Sequence, residues 1–253
     1  MSTPLRFAGK RALVTGATRG LGRTIAEWLA RDGADVFISG RDQRDIDTAI
    51  RELEVYGTRI GGAPADLQHL EQIHGLAETA LAEFGSFDIL VNNAGYSNPK
   101  PFLETNDDDW DPELTVNLRA PYVLAQHVAR NMIENEIKGR IVNVSTIGVF
   151  AVHHKQIIYD IAKAGLQMMV KNMAYELGPY GITANCVAPG AVPFRPGLKE
   201  KFGPANVVPT GRWGDAEDIA NAVCFFCQDE SSWVTGQTLL VDGGHLTYIP
   251  LEN

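Results

Sequence analysis

The chain has little of what marks secreted, membrane-spanning or nucleic-acid-binding proteins. Three cysteines among 253 residues are too few for a disulfide framework and suit a reducing compartment. No run of about 18 apolar residues occurs, so hydropathy offers no spanning helix. The start, MSTPLRFAGKRALVTG, has no charged n-region, apolar h-region or cleavage site of a signal peptide. The expected location is the cytoplasm, away from any membrane. Basic residues are outnumbered, 22 Lys and Arg against 31 Asp and Glu for a net charge of −9, which disfavours nucleic acid or anionic lipid as a partner. A local basic pocket for a small charged ligand stays open. No His, Cys and Glu grouping has metal-ligand spacing, so no metal site is expected. Linkers, charge blocks, repeats and low-complexity tracts are also missing, which reads as one domain over residues 1–253.

Short apolar runs alternating with longer amphipathic segments are what the chain does have. RALVT (11–15), ADVFISG (34–40), TRIGGAPA (58–65), FDILVNN (87–93), GRIVNVS (139–145), ITANCVAP (182–189) and GQTLLVDGG (236–244) read as strands. Between them, GRTIAEWLARDG, RDIDTAIRELEVYG, LEQIHGLAETALAEFG, the stretch from Asn117 to about Glu136, IIYDIAKAGLQMMVKNMAYELG and AEDIANAVCFFCQ carry helical periodicity. About seven buried strands separated by helices imply an α/β fold, a Rossmann-type doubly wound parallel sheet with helices on both faces. Cys224 and Cys227 match C-x-x-C by spacing, but both fall among the apolar positions of a helix and read as buried thiols. Residues 191–212, rich in Pro and Gly and poor in period, are too long for a simple connector and read as a substrate lid.

TGATRGLG follows the first strand and opens the first helix. Gly16, Gly20 and Gly22 permit a tight turn and close approach of backbone to a ligand, and the helix start behind them favours an anion. In this strand–loop–helix setting the loop reads as a dinucleotide site, with Thr18, Arg19 and Leu21 as further candidate contacts. An NAD site usually places Asp or Glu at the end of the second strand. Here Gly40 and Arg41 stand there; glycine leaves room, and arginine can fork onto a 2′-phosphate, with Arg19 able to reach the same group. NADP(H) is therefore favoured over NAD(H). Asp42, two residues beyond, reads as a helix N-cap.

Tyr159 and Lys163 in YDIAK are one helical turn apart. They are either ordinary surface neighbours or a proton-transfer pair, in which an ammonium beside a phenol favours the phenolate. The pair alone does not decide. Ser145 ends a strand at the carboxyl edge of the sheet, where functional groups gather, Asn92 and Asn93 end another, and Asn117 begins a helix.

TGATRGLG, NNAG, Asn117, Ser145, Tyr159-x-x-x-Lys163 and Pro189-Gly190 occur in the order and approximate spacing of the short-chain dehydrogenase/reductase family. The resemblance spans nearly the whole chain and is similar in layout to 3-oxoacyl carrier-protein reductases and related ketone reductases. It implies hydride transfer between a nicotinamide and a ketone or secondary alcohol. Tyr159 would be acid–base, Lys163 its partner and a ribose contact, Ser145 the group polarising the substrate oxygen and Asn117 the anchor of a proton-relay water. It further implies cofactor contacts at Asp66, Leu67, Asn93, Ala94, Gly95, Pro189, Gly190 and Val192. Relatives are commonly tetramers, with the helix after the tyrosine and the C-terminal strand at interfaces. Many carry threonine where Phe194 stands, so that contact is lost or replaced here.

Tyr96, Phe150, His153, His154, Phe194, Phe202 and Trp213 fall in loops and are candidates either for the pocket wall or for simple packing. Lys199 and Lys201 are the only basic cluster in view, too little to commit to an acidic carrier-protein partner. Two other functions stay in competition: an NAD-dependent sugar or secondary-alcohol dehydrogenase, and a nucleotide-binding regulator without turnover. The regulator should lack part of the proton machinery, and all four positions are filled.

Overall fold

A computed structural model describes residues 5–193 and 205–247. Phe194, Phe202, Lys199, Lys201 and much of the expected lid lie outside the described residues. Seven strands, β1 (Arg11–Val14), β2 (Asp35–Gly40), β3 (Ile60–Pro64), β4 (Ile89–Asn92), β5 (Arg140–Val144), β6 (Thr183–Pro189) and β7 (Thr238–Val241), form one sheet in the order β3-β2-β1-β4-β5-β6-β7. All its pairings are parallel, which bears out the doubly wound reading.

The near-continuous apolar strands follow from burial on both faces. Successive side chains on a strand point to opposite faces. Ala12 and Val14 of β1, and Val36 and Ile38 of β2, enter one core with Ile25 and Leu29 of α1 (Gly20–Arg31), Ile46 of α2 (Gln43–Leu53) and Phe226 of α7 (Ala216–Cys227). Leu13 and Phe37 enter the other, with Ile73 of α3 (Leu70–Phe84), Leu124 of α5 (Ala120–Glu134) and Leu166 of α6 (Ile157–Leu177). Cys224 and Cys227 are free and buried, and burial holds the Cys224 thiol up at about 12, far from a reactive thiolate.

One element departs from expectation. Asn117 does not begin a helix. A helix α4 (Asp107–Leu114) precedes it and runs without a break through a π-helical turn, Thr115–Arg119, into α5. Asn106 caps α4, accepting from the Asp109 N–H at 3.3 Å while its own N–H donates to Asp109 Oδ2 at 3.2 Å. The acidic run and Pro112 hide this helix from periodicity, because the side chains it buries are those of Asp109 and Glu113 rather than apolar ones. Asp42 behaves as expected and caps α2, accepting from the Arg44 N–H at 2.8 Å.

No helix among the described residues is long and apolar enough to cross a membrane, and among them no cluster of three or more potential metal ligands occurs.

Where α3 meets α5, His74 Nδ1 and His127 Nε2 lie 2.9 Å apart. Burial, then the neighbouring His74 and Arg130, lower the His127 pKa from its ordinary 6.5. A depressed pKa means that the folded chain binds fewer protons than the unfolded one once pH falls below the unfolded value. Stability is then intact above about pH 6.5 and declines as pH falls through the folded pKa. Thermal unfolding of His127→Gln should therefore lose less Tm between pH 7.5 and 5 than the native chain. Parallel Tm curves for the two would contradict this.

Candidate active site

In an open parallel sheet the strand ends that share one edge frame a crevice where strand order reverses. Here the reversal lies between β1 and β4. Thr15, just past β1 and almost fully buried, ties the two strand ends together. Its Oγ1 accepts the N–H groups of Asn93 at 3.0 Å and Ala94 at 3.1 Å. In return, Asn93 Nδ2 donates to the carbonyls of Thr15 at 2.9 Å and Gly16 at 3.1 Å. Gly16 and Gly20 take left-handed φ values of 62° and 57°, a conformation other residues adopt at a cost. A Cβ on Gly22 would collide with Asn93 Nδ2 and the Gly16 carbonyl oxygen. The glycines thus let the β1 loop close onto the β4 loop.

Helix α1 starts behind this loop with no side-chain cap from Arg19 and no acid in its first turn. Its leading N–H groups and positive dipole end suit an anion. At the end of β2, a Cβ on Gly40 would sit 2.5 Å from Thr18 Cγ2. An acidic side chain there would have to displace Thr18. Arg19 and Arg41 are exposed, and neither guanidinium has an ion pair or hydrogen bond among the described residues. Leu21 is half-buried on the core side.

Further along the edge, Asp66 turns on itself. Its Oδ1 accepts the Gln68 N–H at 3.0 Å and its N–H donates to Gln72 Oε1 at 2.9 Å, a local turn rather than a cap of α3, whose N-cap is His69. Leu67 is buried and Gly95 exposed. Pro189 ends β6, Gly190 packs so closely on Asp242 that a Cβ would fall 2.7 Å from its Cα, and Val192 is buried. The dinucleotide-contact candidates therefore distribute along the carboxyl ends of β1, β2, β3, β4 and β6. These residues fit a phosphate-bearing dinucleotide: the glycine cradle admits close backbone approach, and two unengaged cations flank it.

The chemistry-bearing group gathers past β5. The Ser145 N–H donates to Val187 O at 2.7 Å, and Ser145 Oγ, though its residue is only 4% exposed, has no hydrogen-bond partner among the described residues. A buried hydroxyl left unpaired is costly, and a substrate oxygen would satisfy it. Lys163 Nζ donates to Val144 O at 2.8 Å, one residue away from Ser145, and lies 5.7 Å from the centre of the Tyr159 ring. Asn117 is fully buried in the π turn. Its Nδ2 donates to Tyr96 O at 2.6 Å and Glu113 O at 2.8 Å, and its Oδ1 accepts the Tyr96 N–H at 3.2 Å. It thereby joins the β4 loop to the helix that packs on α6, where Gly165 faces Leu118.

The electrostatics run against the expectation that the ammonium tunes the phenol. Burial lowers the Lys163 pKa to about 8. Tyr159 is pushed up to about 12, first by burial and then by the charges of Asp160 and Glu113, with a hydrogen bond to the Thr146 side chain opposing. In the chain alone, the phenol is firmly a proton donor. Thr15, Thr146, Glu113 and Asp160 were not among the sequence candidates. Thr15, Thr146 and Asp160 adjoin Gly16, Ser145 and Tyr159 and so carried a signal in the sequence, whereas Glu113 matters through contacts distant in sequence and carried none. Of the candidate wall residues, Trp213 is buried, Tyr96 half-buried, and Phe150 and His154 exposed.

A family model described as enoyl-(acyl carrier protein) reductase matches residues 16–245. A 3-oxoacyl-[acyl-carrier-protein] reductase of Aquifex aeolicus is 36% identical over 247 residues, covering 95% of this chain and 98% of that protein. The chain belongs to the short-chain dehydrogenase/reductase family. Its relatives within the family differ in what they act on. Gluconate 5-dehydrogenase of Gluconobacter oxydans is 35% identical over 252 residues, 96% of this chain and 98% of that one. A blue fluorescent protein from a metagenomic library, solved in complex with NADPH, superposes with a TM-score of 0.86 at 31% identity, covering 95% of this chain and 99% of that one. Membership makes the chain an oxidoreductase of the kind that uses a nicotinamide cofactor.

The glycine contacts predict opposite effects for two similar changes. Gly22→Ala forces the loop clamp apart and should cost about 1–3 kcal/mol, lowering Tm by several degrees. Gly75→Ala, in α3 with nothing within 4 Å of the new methyl, should raise Tm slightly through helix propensity. Equal shifts in calorimetry would refute the clamp.

Proposed function

We propose that this chain is an NADP(H)-dependent oxidoreductase interconverting a ketone and a secondary alcohol, working as one domain. The observation that carries the reading is the buried Ser145 hydroxyl, without a hydrogen-bond partner among the described residues, near Lys163 and Tyr159 at the carboxyl edge of the sheet. When bound, the nicotinamide supplies or accepts hydride at the substrate carbon. Ser145 donates a hydrogen bond to the carbonyl oxygen and polarises it. Tyr159 delivers the proton to that oxygen, a role suited by a phenol held protonated at neutral pH. Lys163, fixed on Val144 O, keeps a positive charge near the phenol and offers its remaining N–H donors to the cofactor ribose. Asn117 positions the Tyr96 backbone and the π turn beside α6.

Preference for NADP(H) rests on Gly40 and on the two unengaged guanidiniums of Arg19 and Arg41, with the NADPH-bound structural relative in support. A second reading is NAD-dependent oxidation of a sugar or secondary alcohol, whose substrate class, though not its cofactor, draws support from the likeness to gluconate 5-dehydrogenase. A turnover-free regulator is disfavoured, because Asn117, Ser145, Tyr159 and Lys163 are all present. The proposed setting is a cytoplasmic homo-oligomer, a tetramer by family resemblance. Ile161, Met168 and Tyr175, spaced by seven along α6, form an exposed apolar stripe suited to a neighbouring copy.

With a ketone panel and nicotinamide absorbance as the readout, Tyr159→Phe should lower kcat by about 10²–10⁴ while cofactor binding persists. Native turnover by that variant would remove the phenol from the chemistry. Arg19→Ala combined with Arg41→Ala should raise KM for NADPH about tenfold or more and leave KM for NADH nearly unchanged. An equal change for both cofactors would contradict 2′-phosphate recognition.

A further inference from the structure

His153 lies on the loop between β5 and α6, and Asp160 on the first turn of α6 holds it at two points. The His153 backbone N–H donates to Asp160 Oδ2 at 2.9 Å, and the ring Nδ1 lies 2.7 Å from Asp160 Oδ1. A carboxylate only accepts, so Nδ1 carries the proton. With the ring neutral, that tautomer leaves Nε2 as a lone-pair acceptor. The Nδ1 and Nε2 directions diverge across the ring, so Nε2 faces away from Asp160, and it has no hydrogen-bond partner among the described residues. The ring centre is 6.2 Å from that of Tyr159.

The arrangement is tightly braced. A Cβ on Gly148 would collide with Asp160 Oδ1 and His153 Nδ1, so a glycine is needed for the pair to form. The Gly148 N–H donates to Thr146 Oγ1 at 3.2 Å, and the Thr146 side chain acts to lower the Tyr159 pKa. Two residues past His153, the Lys155 carbonyl accepts the Lys100 N–H at 2.8 Å. Lys100 Nζ in turn meets Asp109 at 2.6 Å. The neighbouring His154 is exposed and has none of this support. Fastening the loop needs only the backbone bond to Asp160. The second bond orients the imidazole.

We propose that His153 is a specificity-determining residue of this site. Asp160 holds its ring so that Nε2 accepts a hydrogen bond from a hydroxyl on the carbon next to the reacting carbonyl. The favoured substrate class is then hydroxy-ketones and the matching vicinal diols rather than plain alkyl ketones. This rests on the reading of Tyr159 as the proton-transferring group, because the substrate carbonyl sits against that phenol.

The test uses the full chain with NADPH or NADH, comparing 3-hydroxybutan-2-one with butan-2-one. His153→Asn keeps an amide where Nδ1 was, preserving the Asp160 bond and removing the Nε2 acceptor. His153→Gln places an amide where Nε2 was. The native chain should favour the hydroxy-ketone in kcat/KM. His153→Asn should lose that preference about tenfold, mainly in KM, with butan-2-one changed less than about threefold and Tm unchanged, and His153→Gln should recover part of it. Preference kept by Asn and lost by Gln, or an equal fall for both ketones, would overturn the proposal in favour of a bracing role. Turnover of both ketones by the native chain without preference would overturn it as well. Turnover of neither would overturn the parent reading and this proposal with it.

Discussion

The Thr15–Asn93 clamp is the constraint on which the rest of the crevice depends. Two strand ends that diverge at the reversal of strand order are joined by one hydroxyl accepting two N–H groups and one amide donating to two carbonyls. Each of these backbone groups would otherwise be left without a partner at a sheet edge, a state that buried backbone rarely tolerates. Closing the two loops so tightly removes the room for a side chain at Gly22. That glycine is a consequence of the clamp as much as of any ligand. The same closure leaves the start of α1 facing the crevice with no side-chain cap on its N–H groups.

A second theme is how burial sets the charges. Lys163 is 2% exposed and drops to about 8, while Tyr159 rises to about 12. Desolvation penalises the charged form of each, so it pushes a lysine down and a tyrosine up. The acids around the phenol, Asp160 and Glu113, push Tyr159 further in the same direction. Glu113 is itself raised by burial and by Asp109 and Asp160. A site that holds its phenol protonated is prepared for proton donation, and a bound positive ring would be needed to draw it toward the phenolate. The Asp160–His153 pair shares this environment, which couples the proposed specificity residue to the proposed proton donor through a single carboxylate.

Much of this was legible in the sequence, for identifiable reasons. The inner strands could be located because they are buried on both faces, which demands apolar runs, whereas the half-buried edge strands β3 and β7 followed from their place in the strand–helix alternation. The strand-end positions of Gly16, Gly40, Asn93, Ser145 and Pro189 followed from the same pattern. Asp42 as a cap was legible because capping is local chemistry, settled within two residues. Helix α4 was not, since its Asn106–Asp109 box closes an acidic stretch interrupted by Pro112 and shows no apolar face. Asn117 was recognised as important, but it was placed at a helix start rather than in a π turn, because a π turn depends on helices packed on both sides.

The sequence by itself determined the parallel α/β architecture, the family, and which residue types stand at each strand end, since periodicity and motif order are properties of the chain. Only the tertiary structure decided that Ser145 Oγ finds no partner among the described residues, that the Lys163 ammonium bonds Val144 O, and that Asp160 locks His153. These are outcomes of desolvation and of contacts between segments tens of residues apart. Neither burial depth nor hydrogen-bond partnership is encoded at a single position; both arise when the sheet edge closes.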